Sequence, residues 1–424
     1  MTLRIFFTCL ALLVFSGLQA QNAFKAKIVD HETGDPLMGV TVLVPELELG
    51  STTDTSGVVS LDGIPDGEYE IRFSYVGYES LKRRFSFPIP AGQDILTLEL
   101  HPAHEEMEEV VITSTRSTRS IQDIPTRVEF IAGEELAEKG NMKPGDIRML
   151  LNESTGIQTQ QTSATSYNSS IRIQGLDGKY TQLLRDGMPL YSAFSGGLSL
   201  MQIAPLDLQQ VEVIKGASST LYGGGAIAGL VNLITKTPGE ERELSFMLNG
   251  TSALGLDASG FYSERFGKVG TAVFASYNLG TPYDPADIGL TAIPDFQRFT
   301  LNPKLFLYFN EQSTLNVGIN YITEKRVGGN MQYAQGKPVE NPYFEENETD
   351  RVSTQFQYDR VFEGARRLQI KNSLNFYDRS IAIPDYVFAG EQFSSFSEAN
   401  LVWSNGSAEW ITGLNLWTDR FQQQ

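Results

Sequence analysis

Residues 211–236 read VEVIKGASSTLYGGGAIAGLVNLITK. The stretch begins as an alternating strand. It breaks at Gly223, Gly224 and Gly225 directly after Tyr222, and closes from Gly229 onward as a second apolar run. Glycine beside a strand costs backbone entropy and offers no side chain to pack. It is useful where the chain turns with positive φ or where one backbone lies close against another. The expected structure is therefore a crowded connection between two paired strands. A phosphate-binding loop is excluded, because no GK[ST] opens a helix here and no Rossmann context surrounds the glycines.

The rest of the 424-residue chain is long enough for two or three domains. Its 39 glycines, 25 phenylalanines and 17 tyrosines favour β structure with many turns. The first 20 residues stand apart: Arg4, then an apolar run over 5–15, then Ser16, Gly17, Leu18, Gln19 and Ala20. A basic start, a short apolar core and a small residue at the end describe a secretory signal peptide with cleavage after Ala20. The run is too short to span a bilayer as a helix. Cys9, the only cysteine, lies inside it, so the mature chain has neither a disulfide nor a catalytic thiol. The net charge of the whole chain is −18, and loss of Arg4 makes it −19, which excludes nucleic acid as a natural partner. No later run is apolar enough for a spanning helix, leaving an exported soluble protein or a spanning β-barrel.

Residues 22–100 show period-2 patterning. Val40, Val42 and Val44 alternate with Thr41 and Leu43, and Tyr69, Ile71, Phe73 and Tyr75 alternate with Glu70, Arg72 and Ser74. Gly, Pro and Asp between the runs imply a small antiparallel sandwich. The stretches GDPLMGVTVLV, TTDTSGVVSL and PDGEYEIRFSYVGYES resemble the carboxypeptidase-regulatory-like domain, a transthyretin-like β-sandwich. The segment has no zinc-ligand spacing and no acid/base pair, so a spacer or structural role is expected.

Residues 101–120 read as a linker. His101 and His104 are two potential ligands, which suits a polar linker better than a metal site. Glu109, Val110, Val111, Ile112 and Thr113 form a short, extended, β-branched piece. Such a piece can add to the sheet edge of a partner or serve as an ordinary strand of the next domain.

Residues 121–237 read as mixed α/β. Short helices are expected at 133–139 and 145–152, and strands at 171–175, 181–185 and 211–214. From 241 to 424 the rhythm changes to long alternating strands. Leu315, Val317, Ile319 and Tyr321 alternate with Asn316, Gly318 and Asn320; Leu368, Ile370, Leu374 and Phe376 alternate with Gln369, Lys371, Ser373 and Asn375. Runs of ~10 residues match the length a tilted strand needs to cross a bilayer. Tight connections are expected at 267–268, 310–313, 363–365 and 404–407, and long ones at 280–297 and 326–350. Short turns on one side and long loops on the other mark an outer-membrane barrel; a soluble sandwich would not need such strands.

The order of leader, sandwich, extended piece, glycine-rich α/β domain and long strands resembles the TonB-dependent outer-membrane receptors. The motifs that carry the resemblance are STRSIQDIPTRVEFIAGEEL, IRIQGLDGKYTQLLRDGMPLY and VEVIKGASSTLYGGGAIAGLVNLITK. It implies a plug domain at 121–237 inside the first part of a barrel at 241–424. The plug-motif positions are Ile171, Arg172, Gly175, Asp186, Gly187, Pro189, Glu212, Gly216, Tyr222, Gly223, Gly224, Gly225 and Gly229. Gln174 stands where the family usually has Arg, and Arg185 where an apolar residue is common. In this frame the glycines at 223–225 and 229 let the plug backbone turn sharply and lie close to its own sheet and to the barrel wall. Residues 109–113 fall where the family carries the TonB box, so the energy-coupling TonB complex is the implied periplasmic partner, with outer-membrane lipid around the barrel.

Ligand would bind first on the plug apices, 158–170 and 190–200, where Tyr167, Tyr191 and Phe194 are contact candidates. About nine barrel strands are expected, against ~22 in transporters of this kind, so the chain reads as the N-terminal part of a receptor or as a truncated one. The implied function is import of a scarce nutrient, with iron-siderophore, haem or cobalamin ahead of glycans. Bis-histidine haem capture has no support, because the three histidines all precede the plug. No catalytic constellation, metal site or cofactor is expected, which argues against an enzyme. A signalling receptor would carry a βαβ-type extension, whereas this one reads as all-β.

Overall fold

The computed structural model describes residues 22–31, 33–78, 80–89, 95–101, 128–163, 165, 168–190, 200–217, 222–364, 366–405 and 408–424. The expected leader and the 109–113 piece lie outside these residues. The chain divides into two compact units, Met1–Val110 and Val111–Gln424.

The N-terminal unit contains seven strands: β1 Asn22–Asp30, β2 Thr41–Val44, β3 Leu49–Thr52, β4 Val58–Ile64, β5 Gly67–Ser74, β6 Leu81–Phe87 and β7 Leu96–Leu100. They form two sheets, ordered β4-β1-β7 and β3-β2-β5-β6. Phe24, Ala26 and Ile28 from one sheet and Val42, Val44, Ile71 and Phe73 from the other belong to one buried core. Each set is spaced by two, so the alternation in the sequence becomes one dry face per sheet. On edge strand β6, the side of the sheet carrying Leu81, Phe85 and Phe87 also carries Arg83, whose guanidinium lies 5.8 Å from the Phe85 ring centroid. A charge on that side of an edge strand discourages pairing with another chain. Tyr78 donates its hydroxyl to Asp30 at 2.6 Å. That bond, with the nearby carboxylate, pushes the Tyr78 pKa up to about 12.

The second unit begins with an α/β body. Its elements are β8 Val128–Ala132, α1 Gly133–Met142, α2 Arg148–Asn152, β9 Ile157–Gln161, β10 Ser169–Ile173, β11 Thr181–Arg185, β12 Met188–Pro189, β13 Leu208–Lys215 and β14 Gly229–Thr235. β9 and β10 pair as a hairpin, and the other strands form a sheet ordered β12-β11-β14-β13-β8. Ile131, Ile147, Leu151, Ile173, Val211, Val213, Val231 and Leu233 lie in the core between sheet, helices and hairpin.

Nine antiparallel strands follow in a simple meander: β15 Glu243–Gly250, β16 Leu256–Phe266, β17 Val269–Gly280, β18 Asp295–Asn310, β19 Ser313–Gly329, β20 Phe344–Phe362, β21 Arg366–Ile383, β22 Tyr386–Asn405 and β23 Ala408–Gln423. At the four expected tight connections the flanking strands follow one another after only two or three residues. At the other end the pattern is less regular. β19 and β20 run further than expected, so the long connection shrinks to 330–343 and holds one helical turn, α3 Met331–Ala334, capped by the Asn330 side chain. β21 and β22 are joined by only Pro384 and Asp385, with Asp385 at φ 63°. Their length lies in the strands, of 18 and 20 residues, rather than in a loop.

The sign of the alternation identifies the surroundings of this sheet. Arg298, Thr300, Asn302 and Lys304 on β18, and Lys371, Ser373 and Arg379 on β21, are buried against the concave side. Phe299, Leu305, Ile319, Ile370, Leu374 and Phe376 face outward and are exposed. A soluble sandwich buries its apolar face; a barrel in lipid turns that face out. Among the described residues no helix is long and apolar enough to cross a membrane.

Candidate functional site: the α/β body and its wall contacts

The residues of the IRIQGLDGKYTQLLRDGMPLY motif are spread over a hairpin and a turn. Ile171 and Ile173 sit in the core, while Arg172 on the other face donates to Gln160 Oε1 at 2.5 Å and to the Gly175 carbonyl at 3.4 Å. Gln174 and Gly175 turn the chain with φ of 52° and 80°. Gln174 therefore serves through its backbone, with its N–H donating to the Gly156 carbonyl at 2.8 Å.

Asp186 and Gly187 link β11 to β12 with φ of 52° and 73°. Positive φ at both central residues is the turn geometry that suits a two-residue hairpin and that Asp-Gly favours. The turn is heavily bonded. The Asp186 carboxylate accepts from the Thr235 N–H at 2.9 Å, the Thr235 hydroxyl at 3.0 Å and Lys304 Nζ at 2.5 Å. Lys371 Nζ donates to the Asp186 carbonyl at 3.2 Å. The Gly187 N–H donates to Asn232 Oδ1 at 2.9 Å, and Asn232 Nδ2 donates to the fully buried Glu212 at 3.0 Å. Burial by itself would raise the Asp186 pKa, but the Lys304 ammonium and, behind it, Arg185 outweigh it and hold the carboxyl below its ordinary range. Pro189, next to the turn, lies on edge strand β12, where a missing N–H is tolerated.

Arg185, the second departure from the family pattern, is buried in an ion pair with Asp207, which also accepts from Asn302 Nδ2 at 3.2 Å. An arginine at this position thus has its charge partner supplied locally. Asn232, Thr235, Lys304 and Lys371 were not among the candidate residues. Their only sequence signal was their position on an alternating strand.

The glycine stretch is crowded, though not quite where expected. Gly223 takes φ 76°, whereas Gly224 and Gly225 open a 3-10 turn spanning Gly224–Ala226. Gly216 and Gly229 take φ of 137° and 144°. A Cβ on Gly229 would strike the Ile214 carbonyl oxygen, and one on Gly225 would come within 2.9 Å of Gln182. Tyr222 packs with Leu184, Ile214, Ala226 and Leu230. The close approach at 225 and 229 is therefore to the body's own sheet. The wall is met by other glycines: a Cβ on Gly187 would run into Lys371 Nζ, and one on Gly145 into the Asp257 carboxylate.

The tip of the β9–β10 hairpin lies at the long-connection end of the wall. Ser163 and Asn168 donate to Glu345 at 2.9 and 3.2 Å, and Thr291 donates to the Thr165 carbonyl at 3.1 Å. Tyr167, Tyr191 and Phe194 lie outside the described residues, as do Glu109, Val110, Val111, Ile112 and Thr113. His31 and His101 lie with ring centroids 4.0 Å apart and planes tilted by 47° on the N-terminal unit, and His31 Nδ1 lies 2.7 Å from Glu99. Among the described residues no group of His, Cys, Asp and Glu could hold a metal ion.

Comparison with known proteins agrees with this geometry. The TonB-dependent receptor plug domain matches residues 120–230, and the CarboxypepD_reg-like domain matches 24–112. The chain is 30% identical over 156 residues to the vitamin B12 transporter of Vibrio vulnificus, covering 37% of this chain and 25% of the relative. It is 26% identical over 245 residues to the rhizobactin receptor of Rhizobium meliloti, covering 54% of this chain and 31% of the relative. The chain thus spans a third or less of these curated relatives. Among solved structures, the pyoverdine outer membrane receptor of Pseudomonas aeruginosa superposes with a TM-score of 0.60 at 16% identity, over 75% of this chain and 50% of that one. At that identity the likeness concerns the fold.

Proposed function

Since this chain carries a TonB-dependent receptor plug domain ahead of antiparallel barrel strands, and its relatives are TonB-dependent receptors, we propose that it works as an outer-membrane receptor for energy-coupled uptake of a small nutrient. The observation that carries the reading is the inverted alternation seen on β18 and β21, where arginine, lysine, asparagine and serine are buried and phenylalanine, leucine and isoleucine are exposed. In this reading a leader at 1–20 directs export, the sandwich at 22–100 lies in the periplasm, and 101–120 carries the TonB box. The plug at 121–237 fills the barrel that begins at 241.

The nutrient class is an iron-siderophore, haem or cobalamin. Curated relatives named as a vitamin B12 transporter, a rhizobactin receptor and a ferric aerobactin receptor support it. These relatives are receptors and transporters rather than enzymes. Ligand would arrive at the hairpin tip, where the long connections gather. The strand at 109–113 would be pulled from the other side after adding to the edge of a TonB sheet.

The test is deletion of residues 109–113, followed by binding and uptake assays with a panel of ferric siderophores, haem and cobalamin. Uptake should fall to background while surface binding of the cognate ligand persists, because binding uses the outer face and coupling the inner one. Undiminished uptake by the deletion strain refutes the box assignment. No binding of any panel member by the parent refutes the nutrient class.

A further inference from the structure

Polar contacts between plug and wall concentrate on one strand. Of the inward-facing side chains of β18, Arg298 donates to the Gly145 carbonyl at 2.6 Å and also to the Met201 carbonyl, Asn302 donates to Asp207, and Lys304 bonds Asp186 and Thr235. A second lysine, Lys371, reaches the same Asp186–Gly187 turn from β21. β19 and β20 lie between these two strands. At ~4.8 Å per strand the two lysines converge across an arc of roughly 14 Å. Both are buried, and the turn they grip has room for Lys371 only because residue 187 lacks a Cβ.

We propose that the Asp186–Gly187 turn is the point at which the plug is keyed to the wall, that Lys304 and Lys371 are the residues that hold it, and that β18 is the strand along which the plug is seated. The argument rests on charge and geometry. A buried carboxylate must be paired, and removing one partner of a buried pair leaves an uncompensated charge. From within the plug Thr235 supplies hydrogen bonds to Asp186 and Arg185 a neighbouring positive charge, but the ammonium that bonds the carboxylate directly is Lys304 of the wall. The turn therefore completes its bonding only when the plug is in register with β18 and β21. A register one residue off would turn Lys304 to the outer face, since side chains alternate along a strand. This inference adds a seating device to the receptor reading and does not depend on which nutrient is carried.

The experiment is hydrogen exchange on the receptor in outer-membrane vesicles, comparing the parent with Lys304→Met, Lys371→Met and Lys304→Arg. The amides of Gly187 and Thr235 report the turn, and those of β19 and β20 report whether the wall has folded. Exchange at the turn should be about tenfold faster in Lys304→Met, a few-fold faster in Lys371→Met and close to the parent in Lys304→Arg. Turn exchange equal to the parent's in both methionine variants overturns the proposal, because the turn would then be held by the plug alone. If Lys304→Met fails to assemble, a second cycle carries the test. Gly187→Ala, which puts a Cβ where Lys371 Nζ lies, should loosen the turn, and combining it with Lys371→Met should loosen it by less than the product of the two separate effects, because both break one contact. Fully independent effects of the two substitutions overturn the keyed contact.

Discussion

The N-terminal sandwich and the nine-stranded wall are written in the same period-2 code with opposite sign. In the sandwich Phe24, Ala26, Ile28 and Phe73 are buried, and Lys25, Lys27 and Arg84 face water. In the wall Arg298, Asn302, Lys304 and Lys371 are buried, and Phe299, Leu305, Ile370 and Leu374 face out. A strand pattern shows that one face differs from the other, but not which face is inside. That is decided by what the sheet surrounds. The sandwich closes on itself and keeps its apolar atoms from water. The wall turns polar side chains toward the plug, so its apolar face needs a different solvent, the hydrocarbon of a bilayer.

The largest effect that sharpens this contrast is expected in the sandwich. Phe73→Ala removes a fully buried ring from its core and should cost about 3–5 kcal/mol, read from hydrogen exchange of the β2 and β5 amides. A loss below ~1 kcal/mol would mean the two sheets are not closed over a common core. Next comes a matched pair of leucines. Leu374 in mid-β21 is 40% exposed and Leu43 on β2 is 37% exposed. Leu374→Arg should destabilise the folded barrel by about 2–4 kcal/mol in lipid, whereas Leu43→Arg should stay within ~0.5 kcal/mol. Equal tolerance at both positions would show that the outward face of the wall does not meet lipid.

The smallest effect is a pH dependence confined to the sandwich. The folded pKa of Tyr78 is raised to about 12 from an ordinary 10.0. Its contribution to stability is thus fully present below pH 10 and is lost as the pH rises through about 12. Tyr78→Phe should flatten that alkaline loss, as followed by the unfolding midpoint of the N-terminal unit between pH 9 and 12. The same alkaline slope in the variant would place its origin elsewhere.

Much of the fold is legible in the sequence because its signals are local. Alternation marks the sandwich and wall strands, and Gly267-Lys268 marks a tight turn. Signals that depend on distant partners are not legible. Lys304 lies 118 positions from Asp186 and Lys371 lies 185 positions away, and nothing near either lysine points to that turn. The same holds for Asn232 and Thr235, which look like ordinary polar residues in a strand. The connection at 326–350 is shorter than its sequence suggests because Arg326 and Gly328 interrupt an apolar alternation, yet both stand at inward positions of β19, which accept polar residues and glycine. In the glycine run, composition marked a crowded turn but could not assign positive φ among consecutive glycines. Only the folded turn does so, with Gly223 at φ 76°, while ladder pairing with Lys215 brings Gly229 to rest against the Ile214 carbonyl.

Among the described residues the joint between plug and wall is bonded through ammonium, guanidinium, carboxylate and carbonyl groups, with Ala204 and Leu206 packed against Phe261, Phe274 and Phe306 beside them. Such a joint behaves differently from a hydrophobic core when it is pulled apart. Each polar group released can be taken up by water, so the net change per charged bond is about 1.5–3 kcal/mol rather than the far larger figure it would have in a dry medium. Where these bonds part, the surface exposed is polar and has little tendency to clump. The polar seam can therefore part and re-form many times in the same molecule, with water standing in for the missing partner on each excursion.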